Sequence, residues 1–324
     1  MKFTPLRTWI AAAAITLAGP AWAYTSLEVF GDSLSDGGNV AALIGTDPTQ
    51  VITGNDYVPS MPYASGTFSN GPTWVDGLAS ALGVSAAPSL LGGSNYAFGG
   101  AQTRDESGGS PSLLTQLGMY FAATGGSASA DALYVLAGGG NNARAALEAI
   151  GLDGAPLVRT TLITAVQYAR DIGSMVDQLQ AAGATDIIVW NTPNLGLTPA
   201  VMSLGAEASF LGQVLSSAMN RALERRLIDE AGVRIFDIYG LVGAAVADPS
   251  AYGLVNVGDA CGAPTAGCDV ASALFWDGIH PTMTGHALIA DAMIAMAVPE
   301  PGTWAMFAAG GLVLLLRRRR ATPR

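Results

Sequence analysis

The chain has one lysine, Lys2, and none at all between Tyr24 and Val298. Over that stretch eight arginines stand against 24 aspartates and glutamates, a formal charge of −16. Phosphate contacts need clustered Lys and Arg, so this composition excludes nucleic acid as a partner and argues against anionic lipid. Histidine and cysteine are as scarce, with two of each. No zinc-type Cys/His cluster can be assembled from them, and the phosphate-cradling Gly-x-x-x-x-Gly-Lys signature is missing, so neither a metal nor another cofactor is expected. Charged residues make up only 12% of the chain and hydrophobic ones 50%. That balance excludes extensive disorder and supplies a sizeable core, for which one α/β domain is the expectation. No internal repeat and no second-domain boundary is visible.

What is present begins with Val29-Phe30-Gly31-Asp32-Ser33-Leu34-Ser35-Asp36-Gly37-Gly38-Asn39. An apolar, strand-like run from Leu27 to Phe30 stops abruptly at a glycine, an acid and a serine, with small turn-forming residues behind them. A strand that ends this way in an open parallel sheet delivers its last residues to the carboxyl edge, where ligands bind. Ser33 would stand there as a candidate nucleophile. Serines also cap helices and satisfy turns, so alone it proves nothing.

The other end of the chain supplies what a serine nucleophile needs. In Phe275-Trp276-Asp277-Gly278-Ile279-His280-Pro281-Thr282, Asp277 and His280 are three residues apart, so one tight loop can aim both at the same point. The carboxylate would accept from imidazole Nδ1–H, fix the tautomer and leave Nε2 to take the serine proton. The competing explanation is an Asp-to-His turn that only caps the helix beginning near Thr282.

Gly31-Asp32-Ser33-Leu34-Ser35-Asp36 and Asp277-Gly278-Ile279-His280-Pro281 resemble blocks I and V of the GDSL, or SGNH, hydrolases. Two further blocks are found between them in order. Asn95-Tyr96-Ala97-Phe98-Gly99-Gly100-Ala101 resembles block II, and Leu136-Ala137-Gly138-Gly139-Gly140-Asn141-Asn142 resembles block III, with Asn142 where the family usually has Asp. The resemblance covers Tyr24 to Ala297. It implies a Ser33–His280–Asp277 triad, with the oxyanion held by the N–H groups of Ser33 and Gly99, Gly100 being the alternative, and by the Asn141 amide. It also implies the family's flavodoxin-like three-layer α/β/α sandwich around a five-stranded parallel sheet. Strands are expected at Leu27–Phe30, Asn95–Phe98, Ala132–Ala137, Ile187–Trp190 and Val233–Phe236. Helices are expected over Val40–Ile44, after Pro72, and over Leu113–Ala123, Leu157–Ala182, Ala206–Ala231 and Met283–Met296. The Gly-x-Ser-x-Gly elbow of the α/β-hydrolases is absent, which excludes the main competing serine-esterase fold. Gly45 to Gly66, carrying Tyr57, Met61 and Tyr63, reads as an irregular insertion that either lines a pocket or elaborates the surface. Asp237 and His286 are read as structural.

Both termini carry signals. Lys2 and Arg7, the apolar Trp9–Ala18 and Ala21-Trp22-Ala23 form a secretory signal over residues 1–23. Export makes Cys261 and Cys268 candidates for a disulfide closing a small loop before Asp277; two free thiols or half a metal site are the alternatives. Residues 298–324 hold Pro299-Glu300-Pro301, an apolar run from Trp304 to Leu316 and four arginines, Arg317 to Arg320. This resembles the PEP-CTERM sorting signal of Gram-negative bacteria, and implies transient anchoring in the membrane and processing by an exosortase. The hydrolase domain would then be residues 24–297, delivered to the periplasm, cell envelope or extracellular matrix.

The expected activity is hydrolysis of small-molecule or lipid carboxylic esters through an acyl-enzyme. A deacetylase of acylated matrix polysaccharide and a non-catalytic envelope-binding protein are the rivals.

Overall fold

In a computed structural model, residues 24–55, 60–105 and 109–298 are described. The secretory signal, the sorting segment from Pro299 onward and Tyr57 lie outside the described residues. Residues Tyr24–Ile294 form one compact unit.

The central sheet is wholly parallel, in the order β1 (Ser26–Gly31), β2 (Ala132–Ala137), β3 (Ile187–Trp190), β4 (Val233–Phe236). All six residues of β2 are buried, as expected of a near-continuous apolar strand with helices on both faces. Side chains alternate across the pleat. Tyr134, Leu136, Ile187 and Val189 join one core with residues of α3 (Leu113–Thr124), α5 (Leu157–Ala182) and α7 (Ala206–Leu227). On the opposite face Trp190 packs 4.7 Å from Trp74 of α2 (Trp74–Leu82). α2 in turn lies against α9 (Met283–Ala297): a Cβ on Gly77 would come 2.7 Å from that of Ala290.

The fifth expected strand is not a regular one. Residues 94–98 run beside β1, with hydrogen bonds from Val29 N to Ser94 O, Tyr96 N to Val29 O and Phe98 N to Gly31 O, but contribute only an isolated bridge at Asn95. Two competitors interrupt the ladder. The Asn95 side chain accepts from Ala97 N, and its backbone pairs with Ala87 and Ser89 on the outer side.

Some elements lie outside the expectation. The segment after block III is helical as α4 (Gly140–Gly151), and α6 (Pro199–Met202) and α8 (Ile238–Ala247) are further helices. A second, two-stranded parallel sheet joins β5 (Asn256–Ala260) to β6 (Ala273–Phe275). α1 (Asn39–Ile44) lies where expected. α2 begins at Trp74, so Pro72 precedes the helix instead of opening it, and Asp76 accepts from the backbone N–H and hydroxyl of Thr73. α7 stops at Leu227, four residues earlier than expected.

Candidate active site

β1 ends at Gly31, where only glycine fits: an added Cβ would lie 2.6 Å from Ala137 O on the neighbouring strand. The chain then turns so tightly that Ser35 N and Asp36 N both bond Asp32 O at 3.0 Å, and Ser33 is carried on the outside of that turn. The Asp36 carboxylate fixes the turn. It accepts from the N–H groups of Gly38, Asn39 and Val40 behind it and from Gly99 N of block II at 2.9 Å. Burial pushes the Asp36 carboxyl up, against the pull of those four N–H groups. Asn39 Nδ2 bonds Asn95 O and Ala97 O, while Asn95 Nδ2 bonds Ser35 O, so blocks I and II are cross-tied.

Asp277 and His280 sit on a loop closed by a bond from Trp276 N to His280 O at 2.8 Å. Asp277 Oδ1 accepts from Ile279 N and His280 N, each at 2.8 Å. Its Oδ2 lies 2.7 Å from His280 Nδ1, and His280 Nε2 lies 2.8 Å from Ser33 Oγ. The three predicted residues thus form one hydrogen-bonded line, all buried. An imidazole whose Nδ1–H is given to a carboxylate can accept a hydroxyl proton at Nε2.

Two residues that the sequence did not single out complete this line. Tyr63, in the irregular insertion, donates its hydroxyl to Asp277 Oδ2 at 2.8 Å. Phe68 lays its ring 5.4 Å from the imidazole. The insertion also packs Ile52 and Tyr63 against Ala260, Ala263 and Trp276. The segment after it clasps the catalytic loop, with Ser69 Oγ bonding Pro281 O and Asn70 Oδ1 accepting from Met283 N.

The residues expected to hold an oxyanion lie at the same edge. The N–H of Gly99 is taken by Asp36, so it cannot also face a ligand. Gly100, at φ +80°, lines the cleft beside Ser33, and among the described residues no acceptor takes the N–H of Gly100 or of Ser33. Asn141 gives one amide hydrogen to Ala101 O at 2.9 Å and lines the cleft, leaving the second to point there. Asn142 ties block III to the segment after block II: it accepts from Thr103 N and donates to Thr103 Oγ1.

The cleft holds about 1030 Å³. Ser33 and His280 lie at its floor, and Leu147, Ile150, Leu195, Val201 and Leu211 make an apolar wall. Arg144 and Glu148 are its paired charges, 3.5 Å apart on α4. A smaller cavity of about 50 Å³ adjoins it at Asp32, Ser33, Gly140 and Asn141. Burial pushes the Asp32 carboxyl up to about 6, opposed by the bond from Leu34 N.

The remaining candidates have structural places. Cys261 and Cys268 are disulfide-bonded, and Cys261 N bonds Phe275 O on the strand leading to Asp277. Asp237 caps α8 through Gly240 N and accepts from Asn191. His286 is buried on α9 and accepts from Trp74 N; burial, then the nearby His280, lowers it to about 3. Among the described residues no three His, Cys, Asp or Glu side chains form a group that could hold a metal, and no helix is long and apolar enough to cross a membrane.

Residues 27–293 match the protein family described as GDSL-like Lipase/Acylhydrolase, and residues 297–320 match the PEP-CTERM protein-sorting motif. Esterase EstA of Pseudomonas aeruginosa is 32% identical over 311 residues, which cover 83% of this chain and 46% of the esterase. Lipase 1 of Photorhabdus luminescens is 32% identical over 193 residues, 59% of this chain and 26% of the lipase. A GDSL esterase/lipase of Arabidopsis thaliana is 27% identical over 320 residues, 82% of this chain and 85% of that protein. The chain spans about half the length, or less, of the bacterial relatives it matches at 30% identity and above.

Proposed function

The chain belongs to the GDSL-like lipase/acylhydrolase family, and on that premise we propose that it is an exported serine hydrolase of carboxylic esters. The observation that carries this reading is the hydrogen-bonded line from Ser33 through His280 to Asp277, opening on an apolar cleft. Ser33 Oγ attacks the acyl carbonyl while His280 Nε2 takes its proton, and Asp277 stabilises the resulting imidazolium. The N–H groups of Ser33 and Gly100 and the Asn141 amide hold the oxyanion of the tetrahedral intermediate. Collapse expels the alcohol, which leaves with the proton from Nε2. Water then attacks the acyl-serine by the same route in reverse and releases the acid.

The cleft suits an acyl chain of some length, since its volume is at the upper end of the ~300–1,000 Å³ usual for small-molecule sites. Its wall of Leu147, Ile150, Leu195, Val201 and Leu211 supports that ligand, while Arg144, Glu148 and Glu207 in the same lining keep an acetylated sugar as the second reading. If residues 94–98 count as an edge strand, the sheet order becomes 2-1-3-4-5, the flavodoxin-like one. The sorting motif supports a signal at 1–23, a hydrolase domain at 24–297 and a segment at 298–324 that anchors the protein in the membrane until an exosortase-type enzyme processes it. Delivery to the Gram-negative envelope or beyond follows from that.

The test is turnover of p-nitrophenyl esters from acetate to palmitate by the protein and by Ser33→Ala. Loss of about 10³-fold or more in kcat is expected in the variant. Activity that survives Ser33→Ala overturns the nucleophile assignment.

A further inference from the structure

The two longest helices overshoot the sheet on its catalytic side. α5 has 26 residues and so runs about 39 Å, whereas six-residue strands cover only about 20 Å. Tyr168 marks where α5 passes the carboxyl edge, because its hydroxyl lies 3.3 Å from Gly138 O and 3.2 Å from Trp190 O. Everything from Leu157 to Gln167 therefore projects past the strand ends. α7 does the same: Asn220 brackets Thr192, just beyond β3, with two hydrogen bonds, and the helix begins fourteen residues earlier at Ala206.

These overhangs are apolar and uncovered. On α5, Val158, Leu162 and Val166 follow one another at helical i, i+4 spacing and are 71%, 59% and 52% exposed. Ile163 beside them and Phe210 on the α7 overhang are also exposed. Leu152 and Leu204 carry the surface into the active site, since both are exposed and both line the cleft. The charge pattern singles out the same region. In a unit with three acids for every arginine, no acidic residue occurs from Gly154 to Arg170. Scattered exposed apolar residues are ordinary; a contiguous set joined to a binding cleft marks an interaction surface.

Building on the ester-hydrolase reading, we propose that the α5–α7 overhang docks onto the surface of an aggregated ester substrate, an uncharged or zwitterionic lipid interface. Continuity with the cleft names the occupant: a surface whose molecules can pass over Leu152 and Leu204 must itself consist of acyl esters. The net negative charge of the unit turns away anionic surfaces. On the α5 side the overhang carries no carboxylate and one cation, Arg159, so that side approaches an apolar layer without desolvating an acid; the one acid of the α7 overhang, Glu207, lies at the cleft lining.

The experiment compares the full chain with the triple variant Val158→Gln, Leu162→Gln, Val166→Gln. Each position is on the helix exterior, and glutamine keeps helix propensity. Both proteins carry the same termini, so only their difference counts. Three readouts are taken: dissolved p-nitrophenyl acetate, tributyrin below and above its solubility limit, and co-sedimentation with phosphatidylcholine vesicles with and without phosphatidylglycerol. The wild type is expected to accelerate once droplets form and to bind phosphatidylcholine vesicles better than anionic ones. The variant should keep its rate on the dissolved ester and lose roughly tenfold or more on droplets and vesicles. If it loses the dissolved-ester rate too, Leu162→Gln alone replaces it.

Equal behaviour of the two proteins on droplets and vesicles overturns the proposal, as does a preference for anionic vesicles. It is also overturned if the wild type self-associates through this face, seen as concentration-dependent sedimentation that the variant abolishes while droplet rates stay equal. Failure of both proteins on dissolved ester would sink the hydrolase reading instead, and vesicle co-sedimentation, which needs no catalysis, still decides the docking.

Discussion

The Asp277 carboxylate accepts four hydrogen bonds, two from backbone N–H groups, one from His280 and one from the Tyr63 hydroxyl. Four donors hold the buried carboxylate in one rotamer, which in turn holds the imidazole in line with Ser33. Tyr63→Phe removes one donor while keeping the ring that packs edge-on against Trp276 at 5.8 Å. We expect kcat to fall about tenfold with little change in KM, since the lost bond steadies the acid and touches no substrate. An unchanged kcat would show that the backbone pair suffices. Tyr63 was not legible beforehand, because a lone tyrosine in an irregular insertion has no periodicity to betray it. Ser33 was legible from its place where an apolar strand stops, and Asp277 and His280 from their three-residue spacing and the scarcity of histidine. Gly99 N is taken by a distant carboxylate, Asp36, and Gly100 N is not, a difference that adjacent glycines do not show in a sequence.

At the scale of elements, the parallel strands were easy to read and the connecting pieces were not. A strand buried on both faces is a continuous apolar run bounded by turn residues, so β2 and β3 matched their expected limits; β4, only half-buried and carrying Arg234, kept its limits too. α4 was hidden because it opens with Gly140-Asn141-Asn142, residues of low helix propensity that tertiary hydrogen bonds fix in place. β5, with the sequence Asn-Val-Gly-Asp-Ala, shows no apolar alternation and pairs irregularly with β6. The disulfide bears on this weak pair. Cys261–Cys268 spans seven positions, beside the strand that delivers Asp277. Replacing both with serine should cost about 2–3 kcal/mol of stability by loop-closure entropy. The measurement is urea denaturation of both forms beside kcat on a soluble ester. Stability is expected to fall while kcat is largely kept, because the Asp277–His280 loop is closed by its own backbone bonds. Equal stability would show that the small sheet holds without its staple.

For the molecule as a whole, two buried ionisable groups set opposing pH limbs. Asp32 is raised to about 6, so the stability it contributes is full below its unfolded value near 3.8 and is lost as pH rises through about 6. His286 is lowered to about 3, so its contribution is full above 6.5 and is lost as pH falls towards 3. Between pH 4 and 6 the two slopes oppose each other, each worth about 2–3 kcal/mol over those two units. Asp32→Asn should therefore leave stability rising with pH over that range, and His286→Asn should leave it falling, with the wild type the flattest of the three. Urea midpoints at half-unit pH steps read this directly, and three parallel curves would refute the assignment.

Ser33 and His280 are 247 positions apart, Ser33 just past the first strand and His280 ahead of the last helix. A contact of that separation forms late, because the intervening chain must close first. During synthesis and secretion the serine emerges early, but the imidazole that arms it comes last. A nascent or truncated chain that stops short of Asp277 holds an ordinary alcohol. The hydrogen-bonded line therefore exists only once almost the whole sequence is in place.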